Sequence, residues 1–503
     1  MVIHHAIIST ASVKCETLEG CRSLYSIVQS CIVTILACVW FAVHRNISAP
    51  RSVRPHSGNF FARILGFVWS KILDQRQAVI VFLVALLAPE WVLAWAFRQL
   101  LEARRLAKQL EMARAEAIED RKQTTSHMIE AVPDPGESKD APDETLDGPS
   151  AASVSSGCVR QTHKLKGVIA CRECDKQCEQ CGLHCSVDAV HMMNWDPIVV
   201  AKRVAKGDEA WSTPHAFFVI MGGYCFYNET GLQHPLSPKH VVELVRRGHI
   251  VSPTSEELAS QSKGDALSKG VALMQTLWFV LQCIVRRIEH LPLTSLEVMT
   301  LAYTAITIAM YIVWWNKPLN VSCAIRVPEE QLEAEEEKPR DISALWDRIV
   351  SYIVGWQDDH VNLRRCTEVP TFWVGRANHG TDYTMFVNLA EVLVAMVFGA
   401  VHCIAWSYTF HSHLEQQLWR ASAIVIIAVP AALPVVLALA SLILALWGSE
   451  RLFRAILCTF CVPLTLLYAA ARLTLIVIAF MSLRILPFAA YQTVQWTTFL
   501  PHI

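Results

Sequence analysis

The chain has 503 residues, of which 53% are hydrophobic, and a formal net charge of −1. Its mean hydropathy is +0.32, and charged residues make up 18%, against about 25% in ordinary soluble domains. The balanced charge argues against nucleic acid as a partner. Long apolar runs between the charged stretches indicate a polytopic membrane protein whose main partner is the lipid bilayer.

Seven apolar runs match, or nearly match, the ~20 residues that a helix needs to cross a bilayer. We therefore predict an all-α bundle of about seven transmembrane helices, because an isolated span in lipid must satisfy its backbone internally. The first and third runs are short, so the count could be six or eight. The predicted spans are 26–43, 77–97, 270–283 with its flanks, 296–315, 386–410, 421–446 and 456–481.

The polar segments between the spans form one long soluble loop, 98–268, and one shorter loop, 316–385. Residues 123–209 are predicted to be a partly disordered and Cys-rich insert, because the stretch begins with almost no large apolar residues. An amphipathic helix near 341–356 is predicted either on the membrane surface or against its own loop. The other boundaries are an amino-terminal tail at 1–25, spans 1 and 2 within 26–97, a solvated helix at 98–122, a small soluble segment at 210–268, spans 3 and 4 within 269–315, spans 5 to 7 within 386–482 and an aromatic carboxy-terminal tail at 483–503.

A cysteine- and histidine-rich stretch lies within the insert. Cys171 and Cys174 form one C-x2-C pair, and Cys178 and Cys181 form a second. Thiolates at this spacing are typical zinc ligands, but only three residues separate the two pairs, fewer than in most zinc modules. Three interpretations stay open: a zinc site, disulfides if the loop is lumenal, or an unliganded or palmitoylated insert.

Four ionisable residues lie inside predicted spans: Glu90, Glu391, His402 and Arg472. A lone charge at this depth is costly, so each should face the bundle interior and find a partner. The pattern favours either a polar site for an ion, a proton or a substrate, or a structural Glu90–Arg472 pair that fixes helix packing.

Other signals are weaker. The sequence has no motif of serine hydrolases, P-loop proteins, dinucleotide-binding enzymes or zinc proteases, which favours a non-enzymatic protein. Asn228, in an Asn-Glu-Thr sequon, is the glycosylation candidate. Arg286 and Lys317 at span ends are expected to snorkel to lipid headgroups, beside interfacial Trp314 and Trp315. Two prolines in the sixth run predict a kink or a broken helix.

Six blocks of sequence stand out along the chain: APEW at 88–91, HAFFVIMGG at 215–223, SKGDALSKG at 262–270, QTLWFVLQCIVR at 275–286, YIVWWNKPLNV at 311–321 and the carboxy-terminal 484–503. Together they resemble a large family of uncharacterised multi-pass membrane proteins of filamentous fungi. The resemblance covers 26–503 except 121–208, which looks like an insertion. It implies membrane class and location, and no activity, substrate or cofactor.

These observations predict an integral membrane protein of the endomembrane system or the plasma membrane. The leading hypothesis is a transporter-like or sensor-like bundle built around Glu90 and Arg472. Two alternatives are a membrane-bound metal-dependent enzyme, with zinc on the four cysteines, and a scaffold that recruits partners through its long loop.

Overall fold

Helices dominate the part of the chain that the computed structural model describes, which confirms the predicted helical class. Three short strands depart from the all-α prediction. The described residues are 21–41, 43–48, 76–130, 209–228, 231–262, 266–321, 323–328, 345–375 and 381–494.

The helices follow the apolar runs and the polar segments between them. They are α1 Leu24–Leu36, α2 Arg76–Leu87, α3 Pro89–Glu130, α4 Thr213–Ile220, α5 Pro238–Arg246, α6 Ser255–Gln261, α7 Ala266–Ile288, α8 Ser295–Val313, α9 Leu345–Val354, α10 Thr381–Val401, α11 His413–Trp447 and α12 Glu450–Met481. A short π-helical turn extends α1, and short 3-10 turns lie at Gln357–His360, Leu363–Arg365, His402–Ala405, Ser482–Arg484 and Phe488–Tyr491.

Four helical segments are long and apolar enough to cross a membrane. A fifth candidate combines Ala78–Leu87 with Pro89–Asp120, but these two helices are bent by 115° at the break between them. Among the described residues, the first predicted run contains a shorter apolar helical stretch, Leu24–Trp40, and the fifth contains another, Val392–Ala405. The described residues therefore support four or five spans, and the predicted count of about seven is not confirmed. The four segments are Gly270–Ile288, Ser295–Val313, His413–Trp447 and Glu450–Arg484.

Helices α11 and α12 form a hairpin with extensive contacts between them. Gly448 ends α11 with φ at 66°, a left-handed conformation that glycine adopts at low cost, and Ser449 caps α12. Pro430 and Pro434 lie within α11, which continues through both positions as helix. A broken helix at these prolines, one of the two predicted outcomes, is therefore not observed.

The amphipathic helix predicted near 341–356 corresponds to α9. Val350 packs with Leu457 and Cys461 of α12, and Trp356 stacks on Phe453 with ring centroids 6.2 Å apart. The helix therefore packs on the α11–α12 hairpin. Two apolar side chains in its first turn, Leu345 and Trp346, stay exposed.

Helix α3 connects the apolar helices to the soluble segment. It continues to Glu130, beyond the predicted helix end at residue 122. Its outer part contacts α4 and α5. There the Glu111 carboxylate accepts a hydrogen bond from the Trp211 backbone N–H at 2.9 Å, and Arg246 pairs with Glu116 at 2.6 Å.

A three-stranded sheet lies next to these contacts, with strand order β2-β1-β3. Strand β1 (Tyr224–Asn228) pairs antiparallel with β2 (Gly231–Pro235) and parallel with β3 (Ile325–Pro328). The glycosylation candidate Asn228 is the last residue of β1. Because β3 follows α8 in the chain, the parallel pair ties the end of that helix to the soluble segment.

Both described ends of the chain meet at the connection between α7 and α8. Arg22 pairs with Glu297, and its Nε donates to the Ala490 carbonyl at 2.8 Å. Arg286 is buried and donates to the carbonyls of Gln492 at 2.7 Å and Pro292 at 3.0 Å. The expectation that Arg286 snorkels to headgroups is wrong, because its side chain is buried and its Nη1 and Nη2 atoms donate to these carbonyls inside the protein.

Gly399 marks a close approach of α10 to α11. A Cβ atom there would lie 2.5 Å from Cγ1 of Ile427 and 3.2 Å from the Ile427 backbone nitrogen. Gly270, also in an apolar helix, would meet nothing within 4 Å. The two glycines therefore form a matched pair for testing helix packing.

We expect Gly399→Ala to lower the free energy of unfolding by about 1–3 kcal/mol, because the added methyl overpacks the contact with α11. Gly270→Ala should be neutral or should stabilise the helix by about 0.5–1 kcal/mol. Thermal unfolding of both purified variants in one detergent measures the difference. Equal midpoints would contradict the close approach at Gly399.

Candidate functional site

At the break between α2 and α3, two backbone carbonyls in an apolar interior have no backbone N–H donor. Pro89 has no N–H, and the Trp91 N–H donates to the Ala88 carbonyl at 3.1 Å. Within the described chain, no backbone N–H of α3 therefore reaches the carbonyls of Leu86 and Leu87. A buried carbonyl without a donor costs free energy, so these two groups need side-chain partners.

Arg472 of α12 supplies those partners. Its side chain is fully buried, and Nε donates to the Leu87 carbonyl at 3.2 Å. Its Nη2 donates to the Tyr303 hydroxyl at 2.7 Å, and that hydroxyl donates to the Leu86 carbonyl. One arginine and one tyrosine, from α12 and α8, thus replace the two backbone donors that the break removes.

His402 completes the hydrogen bonding of Arg472. The Nη1 atom of Arg472 lies 3.2 Å from His402 Nε2, and His402 Nδ1 lies 3.0 Å from the Phe398 carbonyl. Because a guanidinium only donates, Nε2 accepts and Nδ1 carries the proton, which makes His402 a neutral imidazole. The guanidinium carbon also lies 4.5 Å from the centroid of the Phe398 ring, close enough for a cation–π contact.

Glu90 lies beside this arrangement, in the first turn of α3, where the positive end of the helix favours a carboxylate. It interacts electrostatically with Arg472 and adjoins the Tyr468 side chain, one turn earlier on α12. The Arg472 nitrogens bond to the Leu87 carbonyl, His402 and Tyr303, and the two charges interact without a hydrogen bond between them. Among the described residues, Glu90 Oε2 and the Tyr468 hydroxyl have no hydrogen-bond partner.

We call Glu90, Tyr303, His402, Tyr468 and Arg472 the polar centre. Three of the four ionisable residues that lie inside predicted spans belong to it. The fourth, Glu391, lies in α10, eleven residues before His402. The sequence did not mark the two tyrosines, because an uncharged Tyr in an apolar run gives no signal that distinguishes a polar role from packing.

The metal-site prediction rests on residues elsewhere in the chain. Cys171, Cys174, Cys178 and Cys181 lie outside the described residues. In the part of the chain that the structure does describe, no group of three or more His, Cys, Asp or Glu is placed to hold a metal ion. Zinc at the four cysteines stays a prediction.

His215, in the block at 215–223, caps helix α4. Its Nδ1 accepts from the Ser212 backbone N–H at 3.1 Å, and its Nε2 lies 2.9 Å from the Pro253 carbonyl. Burial lowers the pKa of His215 below its usual value. These contacts assign it a structural role at the helix start.

Lys317, in the WWNKP block, is buried, so the expectation that it snorkels to headgroups is wrong. Its Nζ donates to Gln99 Oε1 at 2.8 Å and to the His44 carbonyl. It lies 4.6 Å from the Trp314 ring centroid and 5.0 Å from that of Trp95. Neutral acceptors and aromatic rings replace the headgroups, and burial holds the pKa of Lys317 well below its usual range.

Comparison with known sequences identifies one relationship. Residues 184–368 match a family described as a family of unknown function, DUF8562. This range includes α4 to α9, the sheet, Tyr303 and Lys317, whereas the α2–α3 break and α12 lie outside it. No curated protein and no solved structure matches the chain.

We expect Arg472→Lys to destabilise the protein strongly. One ammonium cannot replace three nitrogens held in a planar fork, and each lost charged hydrogen bond costs about 1.5–3 kcal/mol. Arg454→Lys on the same helix is the control, because the Arg454 side chain is 55% exposed and lies 3.8 Å from Asp347. Thermal unfolding should show a large fall in midpoint for Arg472→Lys alone; equal shifts would contradict the assigned role.

We expect the stability of the protein to rise with pH in the alkaline range because of Lys317. Between its lowered folded-state pKa and the ~10.4 of an unfolded chain, the unfolded state binds more protons, so deprotonation favours the fold. Lys317→Met removes this contribution and should flatten the rise. Thermal midpoints of both proteins across that pH range provide the measurement, and parallel curves would argue against a depressed Lys317 pKa.

Proposed function

We propose that this protein is an integral membrane protein whose helices form a transporter-like bundle, with the polar centre as the part that changes conformation. The observation that carries the proposal is the α2–α3 break, whose free carbonyls bond to side chains of two other helices. Discontinuous helices of this kind form the ion and substrate sites of many transporters.

Exposed apolar side chains support the membrane location. Leu439, Leu442 and Leu446 lie on one face of the apolar second half of α11 and are all exposed. A soluble protein rarely exposes a continuous apolar surface of this kind, whereas lipid tails solvate it without cost. The resemblance to multi-pass membrane proteins of filamentous fungi favours the same class.

The bonding at the break supports a conformational role. Side-chain hydrogen bonds to Leu86 and Leu87 can be exchanged for others without unwinding a helix, which a continuous backbone ladder does not permit. The break also joins two helices at 115°, so a small change there reorients α3 relative to α2. Such a joint suits a bundle that opens alternately to the two sides of a membrane.

Water access to the break tests the proposal. Ala85, one turn before the break, is buried, and we expect Ala85→Cys to react with a membrane-impermeant maleimide in both right-side-out and inside-out vesicles. Native Cys461, buried in the α9 contact on α12, is the matched control and should stay unlabelled. Peptide-resolved mass spectrometry measures each cysteine separately.

Two results would contradict the proposal. Labelling of the Ala85→Cys variant at the substituted position from one side only, or from neither, would indicate a static centre. Release of the protein from membranes by alkaline carbonate would show that it is not integral.

A further inference from the structure

We propose that the polar centre is a proton-binding site in which Glu90 holds the exchangeable proton. The inference rests on the proposed function, since a bundle that opens gives the site its access to water. It adds the chemical identity of the bound ion, which the transporter-like assignment leaves open.

Burial of Glu90 favours the neutral acid in the closed structure, against the positive end of α3 and the nearby Arg472, which favour the carboxylate. Glu90 and Tyr468 are 8% and 7% exposed, and within the described structure neither Glu90 Oε2 nor the Tyr468 hydroxyl has a hydrogen-bond partner. An ionised carboxylate in an apolar interior needs donors to replace lost water. A protonated carboxyl carries its own donor, and the adjacent Tyr468 oxygen is an acceptor for it.

Arg472 does not require Glu90 as a counterion in this arrangement. Its three nitrogens bond to the Leu87 carbonyl, Tyr303 and His402. The Phe398 ring lies against the guanidinium and stabilises its charge further. The centre can therefore hold the arginine cation while Glu90 is neutral.

Among the described residues, the charged and titratable groups that interact with Glu90 are Arg472 and Tyr468 from α12 and Tyr303 from α8, and His402, from the turn after α10, is bonded to Arg472. Arginine stays protonated, and tyrosine ordinarily titrates near pH 10. His402 uses Nε2 to accept from a cation, which opposes its own protonation. Glu90 is therefore the group among these five that exchanges a proton in the physiological range.

Proton release would act directly on the helix break. When water enters, the Glu90 O–H bond breaks, the proton passes to water and the carboxylate keeps the electron pair. The new negative charge attracts Arg472, and if the guanidinium turns toward it, the Nε hydrogen bond to the Leu87 carbonyl, already 3.2 Å long, weakens. Proton release thus loosens the hold on the α2–α3 break, and reprotonation restores it.

Infrared spectroscopy of the full chain in lipid tests this inference. We expect a carboxylic acid C=O band that disappears in Glu90→Gln and persists in Glu297→Gln. Glu297 is the matched control because it is also buried but forms an ion pair with Arg22. In the wild type the band should fall as pH rises, over a range in which circular dichroism shows unchanged helix.

Tyr468→Phe gives a second measurement that keeps the carboxyl in place, and it should shift the band in frequency. Absence of any band sensitive to Glu90→Gln would overturn the inference, because Glu90 would then be ionised. A band that never titrates, or one that Tyr468→Phe leaves unmoved, would also overturn it. None of these results depends on cysteine labelling at position 85. The proton-binding proposal and the transporter-like proposal can therefore fail independently of each other.

Discussion

The requirement that every carbonyl in an apolar interior finds a donor is the constraint on which this structure depends. The break at Ala88 and Pro89 frees two carbonyls, and Arg472 and Tyr303 bond to them. To do so, α12 and α8 must pack against the end of α2. The turn after α10 joins through His402. The need of these two carbonyls for hydrogen-bond donors therefore explains how the helices are arranged around the break.

The same principle recurs away from the break. Arg286 donates to carbonyls in the carboxy-terminal segment, and Lys317 donates to a carbonyl and to an amide oxygen. Both are buried cations that bond to neutral oxygens, whereas Arg22 bonds to a carboxylate, Glu297. Desolvation of a buried cation costs free energy, so each of these side chains needs hydrogen bonds to several acceptors to offset that cost. In this protein, cations hold irregular backbone in place between packed helices.

The sequence predicted the helical class and marked three members of the polar centre, because long apolar runs and buried charges leave strong signals. It also contained a signal for the break, since Pro89 followed by Glu90 is typical of a helix start. A proline alone does not predict a helix break, because α11 continues through Pro430 and Pro434. The partners of Arg472 could not be predicted, since Leu87 is 385 residues away in the chain. Burial of Lys317 likewise depends on contacts between distant segments.

Because α3 is long, a small change of angle at the break would move its far end by a large distance. Its 42 residues extend about 63 Å at 1.5 Å per residue, and its outer part contacts α4 and α5. A tilt of about 5° at the break would displace the far end of such a rod by roughly 5 Å. In the proposed conformational change, the helix would pivot at the break, next to Arg472. Rebonding of one side chain in the apolar interior would be amplified into a movement of the folded segment outside it.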